Sequence, residues 1–469
     1  MISRVSRSFL PRHQPLLSRE SYRRELVYAA FFPVASGLTE GAVISILAKA
    51  IFNIGELQFA TIMAAPMFAN LTSFIWSRVA QGERKIGVIT RLQVLLLVTI
   101  AAVALLPVNP AGQWALVALI VLARCLLAGV VTLRSTVWRN NYPRAVRGKL
   151  SGHIVLVFML VLTVSPMLVY NLLDYNAALF RLLYPICCVI AIVGIVAFHG
   201  IRLRREKEIL RHEQRQQQQR PGWLSLQPRG ETEPMYSPDD DASDPQAPRR
   251  SRFAFVTVLR EDRWFREYMI WQMFAGLGNM TGEVAAVWWI LHITQGREDM
   301  FGVSVLYTNT LPMVLAIVTL PAWATLLDQT HITTYRERHG RWWLVAQGLA
   351  CLAALSGVLW VWVFQRFAQG VVRGGGMLAW QLGHNDFAKR EMTATYMGIH
   401  VTLTGIRGAI APFLGMLMVV GLHRTALFGL PLPQFAGIGP YAFLVSFVLV
   451  MIAQMGYAHM ARTMPRKNG

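Results

Sequence analysis

The chain has 469 residues, 54% of them hydrophobic and 15% charged, with a formal net charge of +20. Soluble domains carry roughly 25% charged residues, and disordered chains need low hydrophobicity, so this composition excludes both classes. Its four cysteines lie within apolar runs, which excludes a disulfide-rich secreted fold. We therefore predict an all-α polytopic membrane protein.

A helix that crosses a membrane needs about 20 apolar residues. The sequence contains runs that predict twelve such helices, with approximate limits 26–51, 57–77, 88–106, 113–136, 151–173, 178–199, 266–292, 302–327, 342–364, 370–387, 394–421 and 439–461. Residues 1–25 lack a short apolar core followed by a small-residue cleavage site, so a cytoplasmic segment is predicted there and not a cleaved signal peptide. Residues 462–469 are a predicted cytoplasmic tail.

The distribution of basic residues predicts the orientation. Of the 45 lysines and arginines, 37 lie in or beside the two terminal segments and the loops after even-numbered helices. The opposite side carries about five, among them Lys49 and Arg366. By the positive-inside rule, both termini and the long central loop are cytoplasmic. The basic charge is thus explained by topology, and no nucleic-acid partner is expected.

Residues 200–265 form the predicted cytoplasmic linker. Its central part, 206–262, contains a glutamine run, an acidic cluster around Asp239–Asp241, and the basic residues Arg249, Arg250 and Arg252. Apolar periodicity is missing from its middle, so partial disorder is predicted. Two interpretations stay open for it: a solvated tether between two halves, or a segment that binds a partner or lipid head groups.

The two six-helix halves, 26–199 and 266–461, repeat one unit. Arg24-Glu25 and Thr39 match Arg266-Glu267 and Thr281 at an offset of 242 residues. Three further positions recur at an offset of 246, pairing Pro66 with Pro312, Gly152 with Gly398 and Pro166 with Pro412. Six helices per copy insert both copies in the same direction, an arrangement that places a ligand site between the halves near the membrane midplane.

This six-plus-six arrangement around a long cytoplasmic loop resembles the major facilitator superfamily of secondary transporters. Gly82, Arg84 and Lys85, between the second and third helices, are similar to the end of the family's Gly-x-x-x-Asp-x-x-Gly-Arg-Lys loop, without its first glycine and its aspartate. Arg124 and Gly129 resemble an arginine–glycine feature of the fourth helix. The resemblance implies two pseudo-symmetric halves that move a small solute by alternating access, with no cofactor and no enzymatic reaction.

Two carboxylates inside predicted helices are the first candidate site residues. Glu40 follows Thr39 in the first helix, and Glu283 follows Asn279 and Thr281 in the seventh. The secondary candidates for the same site are Thr39, Asn279, Thr281, Arg373 and His400. A charged group at membrane depth is costly and is a functional candidate by default. In the resembled family, these helices line the central cavity. Each glutamate is therefore interpreted either as a proton-coupling or substrate-binding group, or as half of a structural ion pair.

Intramembrane arginines supply the opposite charge. Arg124 in the fourth helix and Arg407 in the eleventh each allow two interpretations: a charge partner of one of these glutamates, Glu283 in the case of Arg407, or a group that binds an anionic part of the substrate. Arg373 allows the same two interpretations, or its side chain snorkels to the nearby outer edge. His400 titrates near neutral pH or occupies an interfacial position. These arginines weakly favour an anionic or zwitterionic substrate.

The expected protein is a proton-coupled secondary active transporter with a small-molecule substrate, in contact with membrane lipids and active as a monomer. The expected location is the inner membrane of a bacterium. Walker A, Gly-x-Ser-x-Gly and His-Glu-x-x-His motifs are lacking, so no enzyme is expected, and no metal site is predicted. The alternatives are a non-transporting receptor or scaffold that acts through its central loop, and a multidrug or lipid exporter.

Overall fold

The computed structural model describes residue 11 and residues 14–218, 254–388, 393–422, 426–427, 430–431 and 434–464. Its first half contains six helical segments. They are α1 (Leu16–Phe31, Pro33–Ser36, the 3-10 turn Gly37–Thr39 and Gly41–Ala50), α2 (Glu56–Leu71 and Ser73–Val79), α3 (Lys85–Ala102), α4 (Pro110–Asn141), α5 (Arg144–Tyr175) and α6 (Phe180–His199).

The second half repeats this pattern. Its segments are α7 (Arg263–Thr294), α8 (Met300–Val305, the π turn Leu306–Thr310 and Leu311–Gln329), α9 (Ile332–Ser356), α10 (Leu359–Leu382), α11 (Thr393–Val419) and α12 (Ala442–Thr463). Two further helices, Glu206–Gln218 and Ala254–Glu261, lie between the halves in sequence. Between α11 and α12, Gly421–Leu422 pairs antiparallel with Phe435–Ala436, and Ala426–Leu427 pairs with Leu430–Pro431.

Seven helices within the described residues are long and apolar enough to cross a membrane, and an eighth is added if the bent α1 counts as one span. The other segments are shorter or more polar. The second, for example, is divided at Thr72 into pieces of 16 and 7 residues. The predicted fold class, an all-α bundle of two six-helix halves, agrees with this arrangement.

The predicted limits of the ninth and tenth helices, 342–364 and 370–387, are wrong. The ninth helix ends at Ser356 because Gly357 adopts a left-handed backbone conformation with φ of 66°. Apolar residues continue on both sides of this glycine, so the break is invisible in a hydropathy pattern. Since α10 begins at Leu359, Arg366 lies two turns inside that helix and not in a loop.

The bundle has two ends, which we name by the chain segments that they carry. The linker end carries the start of α1, the end of α12 and the helix Glu206–Gln218, and the other is called the opposite end. At the opposite end, Asp174 of α5 accepts hydrogen bonds from the backbone N–H groups of Phe301 and Gly302 in α8, at 2.7 and 2.8 Å. The carboxylate thereby joins the first turn of α8 to the other half of the molecule.

A second contact between the halves lies at the opposite end. The Lys49 ammonium of α1 sits 4.4 Å from the centroid of the Trp288 ring in α7. The same ring meets Phe59 of α2 edge-on at 5.0 Å between centroids. Deeper in the bundle, α2 packs along α11, where Gly408 allows Met67 to approach the helix backbone. The two halves therefore close on each other at the opposite end.

At the linker end, the helix Glu206–Gln218 docks onto the first half. Glu213 Oε2 accepts a hydrogen bond from Lys85 Nζ at 2.6 Å and another from the Gly82 backbone N–H at 2.7 Å. Ile209 of the same helix is buried in the core of the first half. The Gly82–Lys85 loop, which has no aspartate of its own, thus obtains a carboxylate from the linker helix.

We predict that Glu213→Ala releases this helix. The substitution removes both contacts and leaves the buried Lys85 ammonium without an opposite charge, which is unfavourable. Limited trypsinolysis of the purified protein in detergent is expected to cleave after Lys207 and Arg211 several times faster than in the parent. Glu208→Ala is the matched control, because the Glu208 side chain is 73% exposed. Equal cleavage rates in the parent and both variants would contradict this docking.

Candidate functional site

The first helix is broken at the residue predicted to be functional. Glu40 is extended, with φ of −60° and ψ of 134°, between the 3-10 turn Gly37–Thr39 and the helix Gly41–Ala50. The two parts of α1 meet at an angle of 46°. A Cβ at Gly37 would lie 3.3 Å from Pro166 Cγ of α5, so the turn also packs tightly against its neighbour. The break ends one helix and starts another at Glu40, inside the bundle.

Glu40 forms an ion pair with α4. Arg124 Nη1 lies 2.7 Å from Glu40 Oε1, and the two side chains are 12% and 26% exposed, respectively. This is one of the two roles predicted for Arg124. Thr39, in contrast, is buried and donates its hydroxyl to the Ser36 carbonyl at 2.8 Å, within its own turn. Its hydroxyl is therefore used to shape the break.

Glu283 forms the corresponding pair in the second half. Arg366 Nη1 of α10 lies 2.9 Å from Glu283 Oε2, and Gln369 Nε2 donates to the same oxygen at 3.1 Å. Arg366 is fully enclosed, whereas the Glu283 side chain is 23% exposed. The Arg366 Nε and Nη2 atoms have no hydrogen-bond partner among the described residues. As in the first half, the carboxylate is the more accessible member of the pair.

The two pairs are copies of one feature. The offset of 242 residues that relates Thr39 to Thr281 also relates Arg124 to Arg366, and the two glutamates are 243 residues apart. Sequence reasoning missed Arg366 because the wrong end of the ninth helix placed it in a loop. The repeat offset, applied to Arg124, was the signal that could have found it.

Arg407 is not the partner of Glu283, contrary to one of its two predicted roles. Arg366 holds that carboxylate, and Arg407 Nη1 donates instead to the backbone carbonyl of Gln272 in α7. Its side chain packs against Gly276, where no larger residue fits beside the guanidinium. Arg407 is 4% exposed.

The secondary candidates form no hydrogen bond with either pair within the described residues. Thr281 is buried and donates to the Ala411 carbonyl at 3.4 Å, and the Asn279 amide oxygen accepts from Gln347 at 3.5 Å. Arg373 is half-buried on α10, with no ion pair or hydrogen bond to another described residue. Over the described ranges, no three His, Cys, Asp or Glu side chains come close enough to hold a metal ion.

His400 is buried rather than interfacial. Its side chain is 2% exposed, and its ring lies 5.7 Å from that of Trp380 and 6.4 Å from that of His384. The burial follows from contacts of the start of α11 with the end of α10 and with the turn Gly383–Asp386 that follows it, which the separate helix predictions did not contain.

A family model described as Major Facilitator Superfamily matches residues 29–412. The chain belongs to this superfamily. Its fold is similar to that of a mutant form of the nucleoside transporter NupG, with a TM-score of 0.62 at 10% identity over 94% of this chain and 99% of that one. It is also similar to a D-xylose-proton symporter, with a TM-score of 0.62 at 11% identity over 93% and 96%.

A third similar structure is a mutant form of the peptide transporter POT, with a TM-score of 0.59 at 14% identity over 94% of this chain and 95% of that one. No curated protein sequence matches the chain. The predicted membership and fold class are confirmed, and the chain is a multi-pass membrane transport protein rather than an enzyme.

We predict that Arg366 and Arg373, seven residues apart on α10, differ strongly in their effect on stability. Arg366→Met leaves the Glu283 carboxylate without its counter-charge, and breaking such a buried pair costs about 3–5 kcal/mol. The unfolding temperature in detergent is expected to fall by many degrees. Arg373→Met, at a half-buried position without a described polar partner, is the control and is expected to change it little. An equal fall in unfolding temperature for Arg366→Met and Arg373→Met would contradict the assigned Glu283–Arg366 pair.

Proposed function

We propose that this protein is a proton-coupled secondary active transporter of a small anionic or zwitterionic solute. The observation that carries the proposal is the pair of partly accessible carboxylates, Glu40 and Glu283, each held by a more enclosed arginine. The similar solved structures include a proton symporter and a peptide transporter, which supports the class of activity. Their solutes differ, so the substrate class is argued from the arginines of this chain.

The chemistry of coupling follows from charge balance. With the glutamate ionised, each pair is neutral, and the arginine is occupied. A proton that reaches the more accessible carboxylate removes its charge and leaves the arginine uncompensated. An anionic group on the solute then restores neutrality, and arginine binds a carboxylate or phosphate in bidentate fashion. Proton and anion therefore favour each other's binding, and release of one favours release of the other.

Alternating access would come from rocking of the halves at the opposite end. The Asp174 contact with the first turn of α8 and the Lys49–Trp288 contact are the interactions that such a motion would break. A cavity of about 300 Å³ lies at this end, lined by residues of both halves that include Lys49, Trp288 and His292. The distribution of basic residues supports a cytoplasmic linker end. The proposed location is a bacterial inner membrane, and the proposed active unit is the monomer.

We predict that Glu40→Gln and Glu283→Gln separate accumulation from exchange. Glutamine imitates the protonated carboxylate, so a pH gradient is expected to drive no solute accumulation above that of empty liposomes. Counterflow of labelled solute is expected to continue, because it needs no net proton movement. The solute is first chosen from a panel of small carboxylates, phosphates and amino acids, as the compound that most raises the unfolding temperature of the detergent-purified protein. Its transport is then measured in proteoliposomes that contain a pH dye.

Glu298→Gln is the control, since Glu298 lies in an exposed loop. If Glu40→Gln and Glu283→Gln both accumulate the solute as fully as the parent, proton coupling through these residues is contradicted. If neither the parent nor any variant moves a solute, and deleting residues 210–255 alone abolishes the biological role, the receptor or scaffold alternative replaces this proposal.

A further inference from the structure

We propose that the second half contains an oxyanion site of its own, formed by Arg336 of α9 and Arg407 of α11. The site lies among α7, α9, α11 and α12, inside one half of the molecule, and is separate from the Glu40 and Glu283 pairs. It would bind a carboxylate or a phosphate group. This inference does not depend on proton coupling and goes beyond the proposed function.

The first observation is that Arg336 is buried and has a hydrogen-bond donor without a partner in the described part of the chain. Its side chain is 7% exposed. Nε donates to the Tyr268 hydroxyl at 3.3 Å, and Nη2 has no hydrogen-bond partner among the described residues. A guanidinium keeps its proton in proteins, so burial cannot be relieved by neutralisation. Arg336 consequently remains a cation with a free donor inside the bundle.

Arg407 is in the same condition, and a chain of contacts links it to Arg336. Arg407 donates to the carbonyl of Gln272, and its Nε has no partner within the described ranges. The amide oxygen of Gln272 accepts from the Tyr457 hydroxyl at 2.6 Å, and the ring of Tyr457 lies 6.1 Å from that of Tyr268, to which Arg336 donates. Two cations thus border one small cluster of tyrosine and glutamine groups.

The remaining buried arginines show what this cluster lacks. In the first half, Arg134 lies 2.9 Å from Glu25, a carboxylate that is fully buried. Arg124 and Arg366 likewise have glutamate partners. Over the part of the chain that the structure describes, Arg336 and Arg407 form no ion pair. An unpaired buried charge costs several kcal/mol, so an anion from outside this cluster is required.

The side chains that border this cluster favour a small oxyanion. Arginine presents a planar fork that matches the two oxygens of a carboxylate or phosphate group. Two guanidinium groups beside a tyrosine hydroxyl therefore fit a small oxyanion better than a cationic or uncharged ligand.

The test is thermal unfolding of the full chain in detergent, at fixed pH and ionic strength, with inorganic phosphate or acetate replacing chloride. We expect a saturable rise in unfolding temperature for the parent, and the anion with the lower half-saturation concentration identifies the preferred group. Arg336→Gln and Arg407→Gln are each expected to lose this rise. In anion-poor buffer, both variants are expected to unfold at a temperature no lower than the parent, because an unpaired buried charge has been removed.

Arg341→Gln is the matched control, because Arg341 lies on α9 but is an exposed partner of Glu337. It is expected to keep the anion response of the parent. If a Gln variant does not fold, Arg336→Lys and Arg407→Lys retain the charge without the fork and are expected to raise the half-saturation concentration at least severalfold.

Two results would overturn the site. One is no saturable response in the parent, and the other is an equal response in the parent and the arginine variants. If the parent gives no response and both Gln variants are strongly destabilised, a carboxylate of this chain already pairs with the arginines.

Discussion

The requirement that a charge enclosed by apolar helices meets an opposite charge determines most of what is specific in this bundle. Water is not available there to solvate an isolated ion, so each buried arginine must find an anion. Three glutamates do this directly: Glu25 for Arg134, Glu40 for Arg124 and Glu283 for Arg366. Every one of these pairs joins the first helix of a half to its fourth. Charge pairing therefore holds the first helix of each half beside the fourth, and it brings together the residues of the candidate site.

The Glu40–Arg124 and Glu283–Arg366 pairs share one asymmetry, on which the proposed function rests. In each, the carboxylate is about a quarter exposed and the arginine is more enclosed. The proposed coupling uses this asymmetry: the proton is taken up by the more accessible acid, and the enclosed arginine, which stays charged, then binds an anionic group of the solute. The halves also differ, because α1 is broken at Glu40 while α7 is continuous over 32 residues around Glu283. The two glutamates therefore occupy corresponding positions of the repeat with different backbone conformations, extended at Glu40 and helical at Glu283.

Much of this was accessible from the sequence, for physical reasons that also explain the failures. Apolar runs predict helices, and the constant offsets predict a repeat, because both depend on local pattern. The Glu40–Arg124 pair was among the predicted alternatives, since few anions were available to Arg124. Arg366 was missed because the helix break at Gly357 lies within a continuous apolar run, so the hydropathy pattern placed Arg366 in a loop. The docking of Glu213 on Lys85 was beyond prediction, because its partners are 128 residues apart and the helix that carries Glu213 is polar.

The most direct test of the central claim is to exchange the two members of the Glu283–Arg366 pair. The single variants Glu283→Arg and Arg366→Glu each place like charges together in an enclosed site, and both are expected to lower the unfolding temperature sharply. The double variant Glu283→Arg/Arg366→Glu restores opposite charges at the same two positions, and we expect it to recover much of the loss. A double variant no more stable than the worse single variant would contradict the view that charge pairing holds this part of the bundle together.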